Sequence, residues 1–229
     1  IYWEATLTEA GNFVSLGYMA FGKNFGTHGK TLLGIDYAQF IKLSTSLRKT
    51  WQMGFKSQLV GRVAGGIIIP YGNSEVAPFS ECFYVGGANS IRAFTVRSVG
   101  PGRYHEANSE LAYFDRVGDI KLEGNLEYRF NIFGGLYGAL FLDAGNVWNL
   151  KNNFDDQSAQ DGVFRLKDFW KQMALGTGFG VRYDLDFFVL RLDLGIGLHL
   201  PYDTGKSGFY NIPKFRDGLG FHFAIGYPF

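Results

Sequence analysis

Arg92 stands in GGANSIRAF (residues 86–94), an arginine set among glycines and apolar residues in the longest stretch of the chain without periodicity. A guanidinium is a rigid fork of donors, and its strongest use is a bidentate bond to a carboxylate. Two acids have a suitable setting: Glu127 in DIKLEGNLEYRF (119–130) and Asp143 in FLDAGNVW (141–148). With the two-residue period of a strand, Glu127 shares a polar face with Lys121, Glu123, Asn125 and Arg129. Asp143 lies opposite Leu140 and Leu142, and its own face carries Tyr137, Phe141 and Gly145. Two readings stay open on these residues alone. Either Arg92 is a solvated loop residue and the acids line a wet channel, or the loop folds back and the three groups pair in a partly dehydrated interior.

Other chemistry is not supported. No G-x-S-x-G nucleophile motif occurs, so His199 has no serine partner in a hydrolase pattern, and the chain reads as no enzyme. His28, His105, His199 and His222 lack metal-ligand spacing, which implies no metal and no cofactor. GTGFG (176–180) has glycines alternating along a strand with no helix after it, unlike a phosphate loop. Cys82 is the single cysteine, so no intramolecular disulfide is available.

The elements that must position Arg92 and its acids are strands. The 229 residues include 32 glycines, 6 prolines and 17% aromatics, a composition of strands and tight turns. Charged residues make up 19% with a net charge of +1, which argues against a nucleic-acid partner. No run reaches the ~18 apolar residues of a membrane helix, but alternating barrel strands average to neutral hydropathy and escape that test. In FFVLRLDLGIGLHL (187–200) the positions from Phe188 to Leu200 in steps of two are apolar, and Arg191, Asp193, Gly195 and Gly197 oppose them. ALGTGFGVRY (174–183) and GFHFAIGYPF (220–229) repeat the pattern, the latter aligning Phe221, Phe223, Ile225, Tyr227 and Phe229. Weaker alternation at 3–9, 13–21, 35–47, 54–69 and 136–147 brings the expectation to nine strands.

Strands of nine to fourteen residues exceed the five or six typical of a soluble sandwich and fit a transmembrane antiparallel β-barrel, whose apolar face meets lipid. Glycines crowded onto the polar face suit a filled lumen. Short turns at 9–12, 48–51, 131–135 and 184–186 alternate with long connections at 22–34, 70–118, 149–172 and 201–218. That alternation is expected when one rim faces the periplasm and the other the outside. Phe229 then falls on the short-turn rim and Ile1 on the opposite, long-loop rim. Nine is odd where single-chain bacterial barrels are even, so the chain reads as the C-terminal portion of a longer barrel.

GGANSIRAF, then GNLEYRF, then FLDAGNVW, then a last strand ending in Phe229, resemble the BamA/TamA-type outer-membrane assembly proteins. The resemblance is carried best by residues 80–229. It implies a sixteen-stranded barrel of which 1–229 supplies the last nine strands, with upstream strands and periplasmic repeat domains outside this sequence. It also implies that loop 70–118 folds into the lumen. There Ile91, Arg92, Ala93 and Phe94 would form a loop-lock motif, with Glu127, Asp143 and Gly145 as its partners. The strand bearing Phe221, Phe223, Ile225, Tyr227 and Phe229 would line a lateral seam. Ala93 departs from the family pattern, which has glycine there, and an alanine forced to positive φ would be strained. The implied function is insertion of outer-membrane proteins, or translocation, in the outer membrane of a Gram-negative bacterium. The implied partners are the lipid bilayer, unfolded outer-membrane or exported clients, and periplasmic or lipoprotein accessory subunits. The alternatives are a porin-like passive channel and a two-partner secretion pore of the same superfamily.

Overall fold

The computed structural model describes residues 1–105, 116–151 and 157–229. Residues 106–115 and 152–156, inside the long connections 70–118 and 149–172, lie outside the described residues. In chain order the elements are β1 (Tyr2–Ala10), α1 (Asn12–Ala20), β2 (Thr31–Leu32), β3 (Ile35–Asp36), β4 (Phe40–Gly54) and β5 (Ser57–Pro70). They continue with β6 (Ile120–Phe133), β7 (Leu136–Trp148), β8 (Ala174–Asp184), β9 (Val189–His199) and β10 (Leu219–Ile225). Eight strands form one antiparallel sheet in the order β1-β4-β5-β6-β7-β8-β9-β10, so β1 and β10 are its two edges and the sheet does not close on itself among the described residues. The short β2 and β3 pair only with each other.

The sheet has eight strands, not nine. Residues 13–21 are mostly helical, because their polar side chains find partners at helical spacing. Asn12 Oδ1 accepts from Gln39 Nε2 (3.1 Å) and Tyr71 OH (2.8 Å), Ser15 Oγ bonds Tyr37 OH (2.7 Å), and Tyr18 OH donates to Thr31 O (2.5 Å). With an even count, β1 starts and β10 ends at the same rim, that of the short turns, which corrects the placement of Ile1. The turn expected at 48–51 is likewise strand: β4 runs to Gly54 and the chain reverses at residues 55–56. Its basic residues lie along aromatic rings instead of capping a turn, Arg48 over Tyr2 (5.1 Å) and Lys49 over Trp51 (5.0 Å).

The two faces of the sheet are inverted relative to a water-soluble protein. One face buries Glu123, Asn125, Glu127, Asp143, Arg182, Arg191 and Asp193, each under 5% exposed. The other face is bare and carries Leu126, Leu140, Leu142, Phe179, Leu192, Phe221 and Phe223, the last two 70% and 62% exposed. Each bare Leu or Phe left in water forgoes about 1.5–3 kcal/mol of burial. Such a face is stable where the solvent is hydrocarbon. The covered face is roofed by the segment that follows Cys82. Phe83, Val85, Ile91, Ala93, Phe94 and Val99 pack there with Phe40, Ile68, Val147, Ala174, Leu200 and Ile212 into the apolar core.

A candidate loop-locking site on the covered face

Residues 86–94 form a tight knot. Gly86 and Gly87 hold φ of +99° and +92°, a left-handed region that would strain any side chain here. Gly87 N donates to Phe94 O (2.8 Å), and Phe94 N to Ile91 O (3.1 Å), which turns the Arg92 side chain down onto the sheet. Ala93 is not strained: among the described residues, the non-glycine positions at positive φ are Leu33, Arg97 and Asp186. Its methyl occupies the space over Gly176 that a Cβ there would need.

Arg92 is fully buried, and its fork is filled. Nε and Nη2 donate to Asp143 Oδ2 (2.8 Å) and Oδ1 (2.9 Å), Nη1 donates to Glu127 Oε2, and the backbone N of Arg92 donates to Asp143 Oδ2 (3.1 Å). The guanidinium also lies 3.6 Å from the centre of the Phe141 ring. Gly145 makes room for Ile91, whose Cδ1 would stand 3.1 Å from a Cβ there. The structure thus brings together Arg92, Glu127 and Asp143, residues 35 and 51 positions apart.

The same network holds residues that sequence reasoning left outside the site. Arg129 Nε and Arg182 Nη2 donate to Glu127 at 2.6 and 3.1 Å, and Arg182 Nη1 donates to Asp193 Oδ1 at 2.5 Å. Arg191 pairs with Asp193 (3.5 Å) and reaches Asn89 Oδ1 in the loop (2.7 Å). Asn125 donates to Ser90 O and to Asp143 Oδ1, both at 2.9 Å. The usable signal was parity plus register: each of these residues sits on the polar face, and Asn125 is directly opposite Asp143. His222 on the edge strand β10 bonds the carbonyl of Arg92 (2.8 Å).

Phe221, Phe223 and Ile225 stand on the bare face as expected, but Tyr227 and Phe229 do not follow them. Gly226 takes φ +87° and its N donates to Val189 O (2.7 Å), which ends the alternation. The Tyr227 ring then lies over Arg129 (4.3 Å), and the Phe229 ring is 5.7–5.9 Å from the guanidinium carbons of Arg62, Arg92 and Arg129. Both rings belong to the covered side.

Chemically the arrangement holds the loop to the sheet through paired charges. The carboxylates of Glu127, Asp143 and Asp193 are committed to guanidinium groups, and the Ser90 hydroxyl is bonded to the Glu123 carboxylate. Removing one partner of a buried pair leaves an uncompensated charge and costs about 3–5 kcal/mol. Cys82, at the start of the roofing segment, offers a reporter. Burial, with Asp119 adding to it, pushes its thiol up to about 11. Only the thiolate reacts, so labelling of the folded protein with iodoacetamide is expected to stay slow at pH 7–9 and to rise with a midpoint near 11. A midpoint near 8.5, the ordinary thiol value, would contradict the half-buried placement of Cys82.

The Omp85 superfamily domain matches residues 12–229. The chain belongs to the Omp85 superfamily. Relatives of this Omp85 chain include the outer membrane protein assembly factor BamA of Neisseria meningitidis, 28% identical over 70% of this chain and 20% of the relative. BamA of Nitratidesulfovibrio vulgaris is 29% identical over 86% of this chain and 22% of its own length. The human sorting and assembly machinery component 50 homolog is 33% identical over 48% of this chain and 24% of its own. The chain therefore spans about a fifth to a quarter of the curated relatives it matches. Among solved structures, BamA from Haemophilus ducreyi lacking POTRA domains 1–3 superposes with a TM-score of 0.53 at 18% identity, covering 85% of this chain and 36% of that one. The Omp85 sheet is thus a β-barrel sheet of BamA type.

Proposed function

We propose that this chain is barrel from an outer-membrane protein assembly factor, in which residues 86–94 are locked into the lumen beside a lateral seam. The observation that carries the reading is the position of Arg92. Its side chain ties the loop to β6 and β7, and its carbonyl is bonded by His222 on the free edge β10. A loop fixed in this way keeps the edge strand's inner side supported while its main-chain donors and acceptors remain open. An open edge of this kind recruits an incoming strand by β-augmentation, where main-chain hydrogen bonds supply affinity. The clients are unfolded outer-membrane proteins, the solvent of the bare face is the bilayer, and accessory periplasmic or lipoprotein subunits belong to the full assembly. The relatives named as assembly factors support this, as does their placement in the outer membrane; the host is a Gram-negative bacterium.

A photo-crosslinking amino acid at Phe223, on the β10 edge strand, is expected to capture a folding client in proteoliposomes of the full-length protein. The same probe at Leu140, mid-sheet on the same bare face, is expected to capture none. Equal capture at both positions, or none at either together with a large steady conductance, would replace this reading with a passive channel.

A further inference from the structure

The bare face carries a groove that the assembly reading does not use. It has a volume of about 520 Å³ and lies across β4–β7, in the middle of the sheet and away from both edges. Its floor is Gly124 and Ala144, directly paired on β6 and β7, and its walls are Leu47, Val63, Leu126 and Leu142. A Cβ built on Gly124 meets nothing within 4 Å, so the space above it is open. At the end of the groove nearer the short-turn rim stand Lys49 and Trp51, the ammonium 5.0 Å from the ring centre.

Lys49 is out of place on this face. Its side chain points the same way as Leu43, Leu47 and Trp51, into the region where charge is expensive and normally paired. Among the described residues no carboxylate lies within the 4.0 Å of an ion pair to it. The acids of β6 and β7 are on the covered side, behind the sheet and already bonded. An anion for Lys49 must therefore come from the membrane, and at this level the available anion is a phosphate headgroup.

We propose that the groove is a binding site for one anionic glycerophospholipid of the leaflet at the short-turn rim. One acyl chain lies over Gly124 and Ala144, and the headgroup phosphate pairs with Lys49 beside Trp51. The apolar side chains of Leu47, Val63, Leu126 and Leu142 suit a hydrocarbon chain, and the Lys49 ammonium at one end fixes its polarity. The missing side chain at Gly124 is what opens the slot: a strand interior gains nothing from glycine, and glycine there marks close approach of another group.

The proposal rests on the bare face being lipid-facing, and the test separates the two. The protein is reconstituted with phosphatidylglycerol, extracted into detergent, and examined by native mass spectrometry. Wild type is expected to retain one phosphatidylglycerol under activation that strips the rest. Gly124→Leu, whose Cβ meets nothing within 4 Å and whose side chain fills the slot, and Lys49→Gln, which removes the charge, are each expected to lower retention at least fivefold. Val181→Leu, on the same face at β8, is expected to leave it unchanged. Equal retention in wild type, Gly124→Leu and Lys49→Gln overturns the slot, as does an equal loss in Val181→Leu. A protein that fails to enter the bilayer at all, read from the absence of a heat-modifiable band, overturns the membrane reading and the slot with it.

Discussion

Arg92→Ala is expected to release the segment from Phe83 to Val99 from the sheet and to raise Cys82 labelling at pH 8 by at least tenfold. Three independent ties are lost at once: the fork to Asp143, the bond to Glu127, and the contact with the Phe141 ring. The acids left behind are both fully buried. Desolvated carboxylates without their cation cost about 3–5 kcal/mol, which is roughly two to four powers of ten in a docking equilibrium. Arg129 and Arg182 soften the loss at Glu127, since both still donate to it. They do not reach Asp143, which keeps two neutral donors, Asn125 and the main-chain N–H of residue 92. The deficit therefore concentrates at Asp143, and Asp143→Asn in the Arg92→Ala background is expected to recover part of the stability by removing the stranded charge. Arg92→Lys separates charge from geometry: a lysine restores one positive charge but cannot fork to Asp143 while reaching Glu127. Its labelling rate is expected to fall between wild type and alanine. Labelling in Arg92→Ala that matches wild type would show that the apolar contacts of Ile91 and Phe94 hold the segment without the guanidinium.

How much of this was legible in the sequence divides along physical lines. Strand faces were readable from β6 to β9 because a two-residue period leaves no freedom: a residue two positions from Glu127 must share its face. Leu190 to Leu198 announced the bare side, and Arg191 and Asp193 the covered one. The helix at Asn12–Ala20 was not readable, because its outward residues Phe13, Leu16 and Met19 are apolar and its inward ones polar, as on the strands. In such a segment the apolar stripe no longer marks the protein interior, and periodicity loses its usual meaning. The Arg92–Glu127–Asp143 cluster was reachable only through the order of motifs. Nothing local in GGANSIRAF states that its arginine lies against residues 35 and 51 positions away. Arg182 and Asp193 needed more still, the register of β8 on β9, which is set across the chain reversal between Asp184 and Val189. Tyr227 and Phe229 misled for a single reason: alternation was carried through Gly226, where the backbone leaves the strand.

Gly195→Val is expected to undock the loop as completely as Arg92→Ala, although it touches no charge. Gly195 and its cross-strand partner Gly220 form the seat for the backbone of Arg92 and Ala93. A Cβ on Gly195 would collide with the Arg92 carbonyl and stand 2.7 Å from Ala93 Cα, so the main chain of the loop must move away. Main chain yields less readily than a rotamer, and overpacking a site of this kind costs about 1–3 kcal/mol or more. Local propensity points the other way, since valine is a better strand former than glycine by up to ~1 kcal/mol. The substitution therefore sets strand stability against loop docking in one residue. The sheet is expected to keep its heat-modifiable band while Cys82 labelling rises at least tenfold. Gly124→Val, on the opposite face with open space above it, carries the same propensity gain and is expected to leave Cys82 protected. Because a displaced tip cannot also hold the guanidinium against Asp143, the two lesions share one mechanism. Arg92→Ala combined with Gly195→Val should then be no worse than the more severe single variant. Additive labelling rates in the double variant would mean that the glycine seat and the arginine fork hold different parts of the loop.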